Sequence, residues 1–210
     1  MDGVYVREPQ AIEAESFRIV EELLGPLDLE EEAAAVLRRM VHAAGDPSLA
    51  ALFRAAPGAA RAGVAALRAG AGVYTDVEMV RAGINKRLLG TLGGEAVCAV
   101  SQEGVAEAAR RAGTTRSEAG LRLLGERLAG QVVAVGNAPT ALFTVLELAR
   151  SGVRPALVVG MPVGFVGAAR SKAELAAGDL PYLTVEGTRG GSTLAAAAVN
   201  ALLILAAEGS

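Results

Sequence analysis

The chain has 210 residues, 52% of them hydrophobic, and a formal net charge of −3, which excludes a disordered chain and an electrostatic partner for nucleic acid. Its single cysteine, Cys98, excludes an intramolecular disulfide framework and a cysteine-cluster metal site. The N-terminal residues lack a basic-then-apolar signal pattern, and the most apolar run, 194–207, is interrupted by Asn200 and falls short of the ~20 residues of a membrane span, so the expectation is a soluble cytoplasmic protein.

In chain order, the first third reads as helices. One opens at Pro9, carries Ile12, Ile19, Leu23 and Leu24 on roughly one face and stops at Gly25. A second opens with Asp28 and Glu31 in capping-box spacing, buries a stripe of Val36, Leu37, Met40 and Val41, and ends at Gly45. Asp46-Pro47 starts a short helix, and Pro57 starts another that stops at Gly70. Beyond residue 70 the pattern alternates. Short β-branched runs at 72–75, 96–100, 132–135, 156–159 and 182–185 are each followed by a helical pattern. Strands alternating with helices predict right-handed crossovers and a parallel sheet, and near-continuous apolar runs predict strands covered on both faces. The expected fold is therefore α/β: a single doubly wound, mostly parallel sheet of about five strands with additional N-terminal helices, in one domain over residues 1–210. Segment 194–207 is apolar nearly all round and is expected to be buried in the core or at a self-contact.

Ligands of such sheets sit at the carboxyl ends of the strands, near helix N-termini whose free N–H groups favour anions. The turns there supply the candidate binding residues: Thr75 and Asp76; Asn137, Pro139 and Thr140; Met161, Pro162, Gly164 and Phe165; Arg189, Gly190, Gly191 and Ser192. Arg116 and Ser117 open a further helix. The phosphate-binding P-loop, the dinucleotide G-x-G-x-x-G after the first strand, the H-E-x-x-H zinc motif and the G-x-S-x-G elbow are all absent. His42, in "RRMVHAAGD", is the only histidine. It reads two ways: as a cap on helix-terminal carbonyls, or as the one imidazole able to exchange a proton near neutral pH. Asp76 reads equally as an N-cap or a ligand contact, Ser16 as a solvated mid-helix residue, Arg116 and Arg189 as surface charges, and Gly190 and Gly191 as a tight turn. The 18 arginines against 2 lysines suit bidentate grips on carboxylates and equally a GC-rich genome.

Taken in order, "VHAAGD", "VYTDVEMVRAGI", "TTRSEAG", "VVAVGNAPTAL", "RPALVVGMPVGFVGAARSK" and "PYLTVEGTRGGSTLAAAAVNAL" resemble the precorrin-8X methylmutase family, from about Tyr5 to Leu202. The resemblance implies a flavodoxin-like α/β fold and an isomerase of cobalamin biosynthesis. That enzyme moves a methyl group from C11 to C12 of precorrin-8X or its cobalt complex, giving hydrogenobyrinate or cobyrinate. It implies a homo-oligomer, with a dimer the simplest closed form, whose active sites lie near subunit contacts. It also implies His42 as the catalytic residue, and Ser16 and Arg116 as substrate contacts. A sigmatropic methyl shift needs a fixed geometry and a proton, with no metal or cofactor called for. Two other classes stay open at this point: a non-catalytic corrinoid carrier, and an α/β enzyme acting on another anionic metabolite.

Overall fold

The computed structural model describes residues 7–208; Tyr5, where the resemblance begins, and the N-terminal segment without a signal pattern lie outside the described residues. Three helices, α1 (Pro9–Leu24), α2 (Glu31–Ala44) and α3 (Leu49–Leu52), lead into strand β1 (Phe53–Ala55) and helix α4 (Ala59–Arg68). The alternating part follows. It runs β2 (Val73–Thr75), α5 (Glu78–Gly83), α6 (Lys86–Thr91), β3 (Ala96–Cys98), α7 (Val105–Ala112), α8 (Arg116–Leu124), β4 (Val132–Val135) and α9 (Pro139–Arg150). It closes with β5 (Leu157–Gly160), α10 (Ala168–Ala176), β6 (Tyr182–Val185) and α11 (Ser192–Glu208).

The strands form one sheet in the order β1-β6-β5-β4-β2-β3. All neighbours are parallel except β1, which pairs antiparallel with β6 through Phe53–Val185, Arg54–Thr184 and Ala55–Leu183. The α/β class is as expected. The sheet is corrected from about five strands to a mixed sheet of six. The added strand is "FRA", too short and too poor in β-branched residues to register as a strand before its partner is in place.

Alternation along the strands sends side chains to two cores. Val132, Ala134, Leu157 and Val159 face one core, with α2, α4 and α11; Val133, Val135 and Val158 face the other, with α8, α9 and α10. The apolar segment is the centre of the first core. Along α11, Ala195, Ala198, Val199, Leu202 and Leu203 have no exposed surface, and the helix packs on α2, α4 and α5.

The N-terminal helices end where their glycines predict. Gly25 closes α1, and Gly45, in the left-handed conformation, closes α2. Their starts differ in detail. The Glu8 carboxylate accepts from the N–H groups of Gln10 and Ala11 at the head of α1. The capping box expected at Asp28 is not formed. Helix α2 begins after Glu30, whose carboxylate instead accepts from the Gly58 N–H at 3.1 Å and ties the head of α2 to that of α4.

Candidate functional site

His42 lies in the last turn of α2, half-buried against α1. Two consecutive residues of α1 hold its ring. The Ser16 hydroxyl is 2.8 Å from Nδ1. The Phe17 ring stacks on the imidazole with centroids 4.8 Å apart and planes within 8°. Serine sits mid-helix here because its partner is across the helix pair, 26 residues away, rather than in solvent. A hydroxyl donates to bare Nδ1 and accepts from Nδ1–H, so the contact survives either protonation state of the ring. Among the described residues the imidazole makes no other hydrogen bond, which leaves Nε2 for a ligand. Phe17 has a second neighbour: the Arg39 guanidinium lies over its ring, 4.6 Å from the centroid, and is ion-paired to Glu13 at 2.8 Å.

Two cavities meet at this histidine. One, of about 450 Å³, is lined by Ile12, Ser16, Ile19, Leu23, Gly45 and Pro47. The other, of about 390 Å³, is lined by Arg39, Met79, Gly83, Ser192, Thr193 and Ala196. The walls of the first are largely aliphatic; those of the second are mixed, with Arg39, Ser192, Thr193 and Asn200 beside Met79 and Ala196. Glu15 also borders the first; its hydrogen bond with Arg18 holds its carboxyl below the ordinary range, so it stays ionised at the rim.

The strand-end turns form a continuous rim. Arg116 is the first residue of α8 and is exposed, with no ion pair among the described residues; Ser117, next to it, is buried. The Thr115 and Thr140 hydroxyls, 2.8 Å apart, set the start of α8 beside the start of α9. Pro139, also at the head of α9, abuts Gly167 in the β5–α10 turn. In that turn Gly164 N–H donates to Thr188 O at 3.1 Å, and Gly191 N–H in the β6–α11 turn donates to Met161 O at 2.8 Å. Gly190 packs its backbone directly on the Met161 and Pro162 carbonyls. Arg189 forms an ion pair with Asp46 and donates to Ser48 Oγ at 2.8 Å, closing the rim against the loop that follows α2.

The sequence-derived residues thus separate into three groups. Ser16, His42 and Ser192 meet at the cavities. Arg116, Asn137 and Arg189 are exposed on the rim, with Pro139, Thr140, Gly164, Gly190 and Gly191 half-buried in it. Phe165 projects from it, 95% exposed. Thr75, Asp76, Ser117, Met161 and Pro162 are buried and lie beneath the turns. Thr75 Oγ1 donates to the carbonyls of Val77 and Val97 at 3.3 and 3.4 Å. Asp76 does not cap its own helix. Its carboxylate crosses to the β4–α9 turn and accepts from the N–H groups of Gly136, Asn137 and Ala138 at 2.9, 2.9 and 2.8 Å. Burial pushes its carboxyl up, against the pull of those three amides.

Sequence reasoning missed Phe17, Asp46 and Lys172. Phe17 fits the apolar pattern of α1, Asp46 reads as a helix starter, and Lys172 falls within a charged, alanine-rich helix where lysine is ordinarily solvated. Only the placement of distant segments distinguishes them. Among the described residues there is no cluster of three or more metal-ligating side chains, and no helix is long and apolar enough to cross a membrane.

Residues 11–205 match the family described as Precorrin-8X methylmutase. The chain is 45% identical over 205 residues to the "Precorrin-8X methylmutase" of Pseudomonas aeruginosa, covering 94% of this chain and 96% of that protein. It is 41% identical over 203 residues to the "Cobalt-precorrin-8 methylmutase" of Priestia megaterium, covering 96% and 90%. A crystal structure of the precorrin-8X methylmutase from Thermus thermophilus superposes with a TM-score of 0.87 at 42% identity, over 95% of this chain and 98% of that one. The order of segments, the fold and the near-complete coverage agree, and the chain belongs to the precorrin-8X methylmutase family, isomerases of cobalamin biosynthesis.

Proposed function

We propose that this enzyme moves the methyl group from C11 to C12 of a late corrinoid, precorrin-8X or its cobalt complex, with His42 as the proton donor. The observation that carries the reading is the imidazole itself. It is fixed by Ser16 at Nδ1 and by the face of Phe17, and it stands where an aliphatic cavity and a mixed one meet. A [1,5] methyl shift forms one carbon–carbon bond as it breaks another within the same molecule, so the protein supplies geometry and the loan of a proton, given to the ring by His42 and returned to His42 from the rearranged ring, rather than a nucleophile. Nε2–H is the free donor, and Nδ1–H is then the donor to Ser16 Oγ.

The substrate is a large ring with peripheral carboxylates. The aliphatic walls of the first cavity suit the ring. Arg116, exposed at the start of α8 and without an ion pair among the described residues, suits a carboxylate, as do the N–H groups at the head of α11; those leading into α9 are taken by Asp76. The remaining strand-end residues, from Thr75 to Ser192, frame this rim. The reading invokes no cofactor, and the enzyme is read as cytoplasmic, in keeping with a water-soluble polycarboxylate substrate.

Residues 1–210 are read as one domain, doubly wound in the flavodoxin manner. The run β3-β2-β4-β5-β6, with cores on both faces, supports this. We read the working form as a homo-oligomer, a dimer in its simplest closed form. Ile12, Ile19 and Leu23, 45%, 43% and 62% exposed, form an apolar stripe beside His42 that a second copy would cover.

Incubation with metal-free and with cobalt-containing substrate, followed by optical spectroscopy, tests the reaction and identifies the form used. Binding without conversion of either would mean a carrier. A monomeric mass by light scattering at micromolar concentration would overturn the oligomer.

A further inference from the structure

Lys172, in the second turn of α10, belongs to the strand-end rim but has no part in the chemistry above. It is 1% exposed, the largest fully buried side chain among the described residues. No carboxylate pairs with it among the described residues; its ammonium donates to the backbone carbonyl of Arg189. A buried ammonium without a counter-ion is costly, and packing alone would be served better by an apolar chain of the same length. The carbonyl it holds is well chosen. Arg189 is the residue whose guanidinium leaves the β6–α11 turn, pairs with Asp46 and donates to Ser48. Asp46 follows Gly45, the residue that closes α2, and Pro47 beside it lines the cavity at His42.

We propose that Lys172 is a positioning residue: by fixing the Arg189 carbonyl it aims that guanidinium at Asp46, and so clamps the β6–α11 turn to the end of the helix that carries His42. Its effect on turnover rests on the catalytic reading of His42; the clamp itself does not.

Three single variants, Lys172→Met, Lys172→Arg and Asp46→Asn, and one double variant test it. In the ligand-free protein, amide exchange over residues 187–191 should quicken by about tenfold in Lys172→Met and in Asp46→Asn, whether or not the substrate is correctly identified. With substrate, kcat in Lys172→Met should fall by about tenfold while the melting temperature holds or rises, since the buried charge has gone. Lys172→Arg, which keeps a donor, should recover part of that kcat. The double variant Lys172→Met/Asp46→Asn should be no slower than the slower single, as two ends of one clamp require. Unchanged exchange over 187–191 in both single variants would overturn the clamp. A kcat within about twofold of the parent, or a kcat loss that merely follows a falling melting temperature, would overturn the positioning role. If Lys172→Met does not fold, Asp46→Asn decides alone: parental exchange and kcat there would end the proposal. A parent protein that converts neither corrinoid would refute the functional reading and leave the exchange result to judge the clamp.

Discussion

Replacing Gly190 by alanine would test how the rim is built. The new methyl would sit 2.4 Å from the Met161 carbonyl oxygen and 2.6 Å from that of Pro162, and 3.0 Å is the practical floor for such a contact. Both oxygens are backbone, so no rotamer change relieves the overlap. The β5–α10 and β6–α11 turns must part by at least the difference between 3.0 and 2.4 Å. That movement pulls on the Gly191 N–H to Met161 O bond, 2.8 Å long and worth about 1 kcal/mol. Forced overpacking adds about 1–3 kcal/mol, so the expected cost is about 2–4 kcal/mol. For a chain of this size each kcal/mol moves the melting temperature by about 2–4 °C. Gly190→Ala should therefore melt about 4–16 °C below the parent by calorimetry. Gly90→Ala is the control. Gly90 lies within α6 with open space at its Cβ position, and alanine there should raise stability by up to about 1 kcal/mol. A Gly190→Ala protein that melts within about 1 °C of the parent would refute the backbone-on-backbone packing of the two turns.

His42→Asn should keep the fold and product affinity while single-turnover rates fall by about 10²–10⁴-fold; a rate within about threefold of the parent would end the catalytic reading. Ser16→Ala removes the partner of Nδ1, and should cost about 1 kcal/mol in thermal unfolding and slow turnover. Arg116→Lys keeps the charge but loses the planar fork, so product affinity measured by titration should weaken by about 1–3 kcal/mol, and unchanged affinity would return Arg116 to the status of a surface charge. Burial lowers the Lys172 ammonium from an ordinary 10.5 to about 8. The folded protein therefore binds fewer protons than the unfolded chain between those values. The penalty is full below pH 8 and is lifted as pH rises toward 10.5, by up to about 3 kcal/mol. Chemical denaturation of parent and Lys172→Met across pH 7–10.5 should show the parent gaining on the variant over that window.

Local chemistry made much of the fold legible. Pro9 and Gly25 bound α1 because one pre-sets the first helical turn and the other adopts a positive φ that ends the last. The β-branched runs marked every strand from β2 to β6, because strands buried on both faces must be apolar throughout. What escaped was set by distant partners. β1 exists through its pairing with β6, some 130 residues on, and Glu30 caps nothing in α2 because Gly58 claims its carboxylate. The site divides in the same way. His42 stood out because no second histidine competes with it, and the turns stood out by composition. Nothing near Ser16 indicates that its hydroxyl faces an imidazole, and nothing near Lys172 indicates that its ammonium ends on a carbonyl from another loop.

The short antiparallel strand has a consequence for the protein's behaviour in a crowded solution. Without β1, the outward edge of β6 would present its N–H and C=O groups to any extended chain that met them. With β1 in place, the edge offered instead is three residues long, with Arg54 exposed on it and ion-paired to Glu186. A charge on so short an edge discourages further strand addition. The helical third of the chain therefore acts as a guard as well as a support. Lesions that loosen α3 or α4 are expected to show first as edge-to-edge self-association, while the parallel strands beneath remain intact.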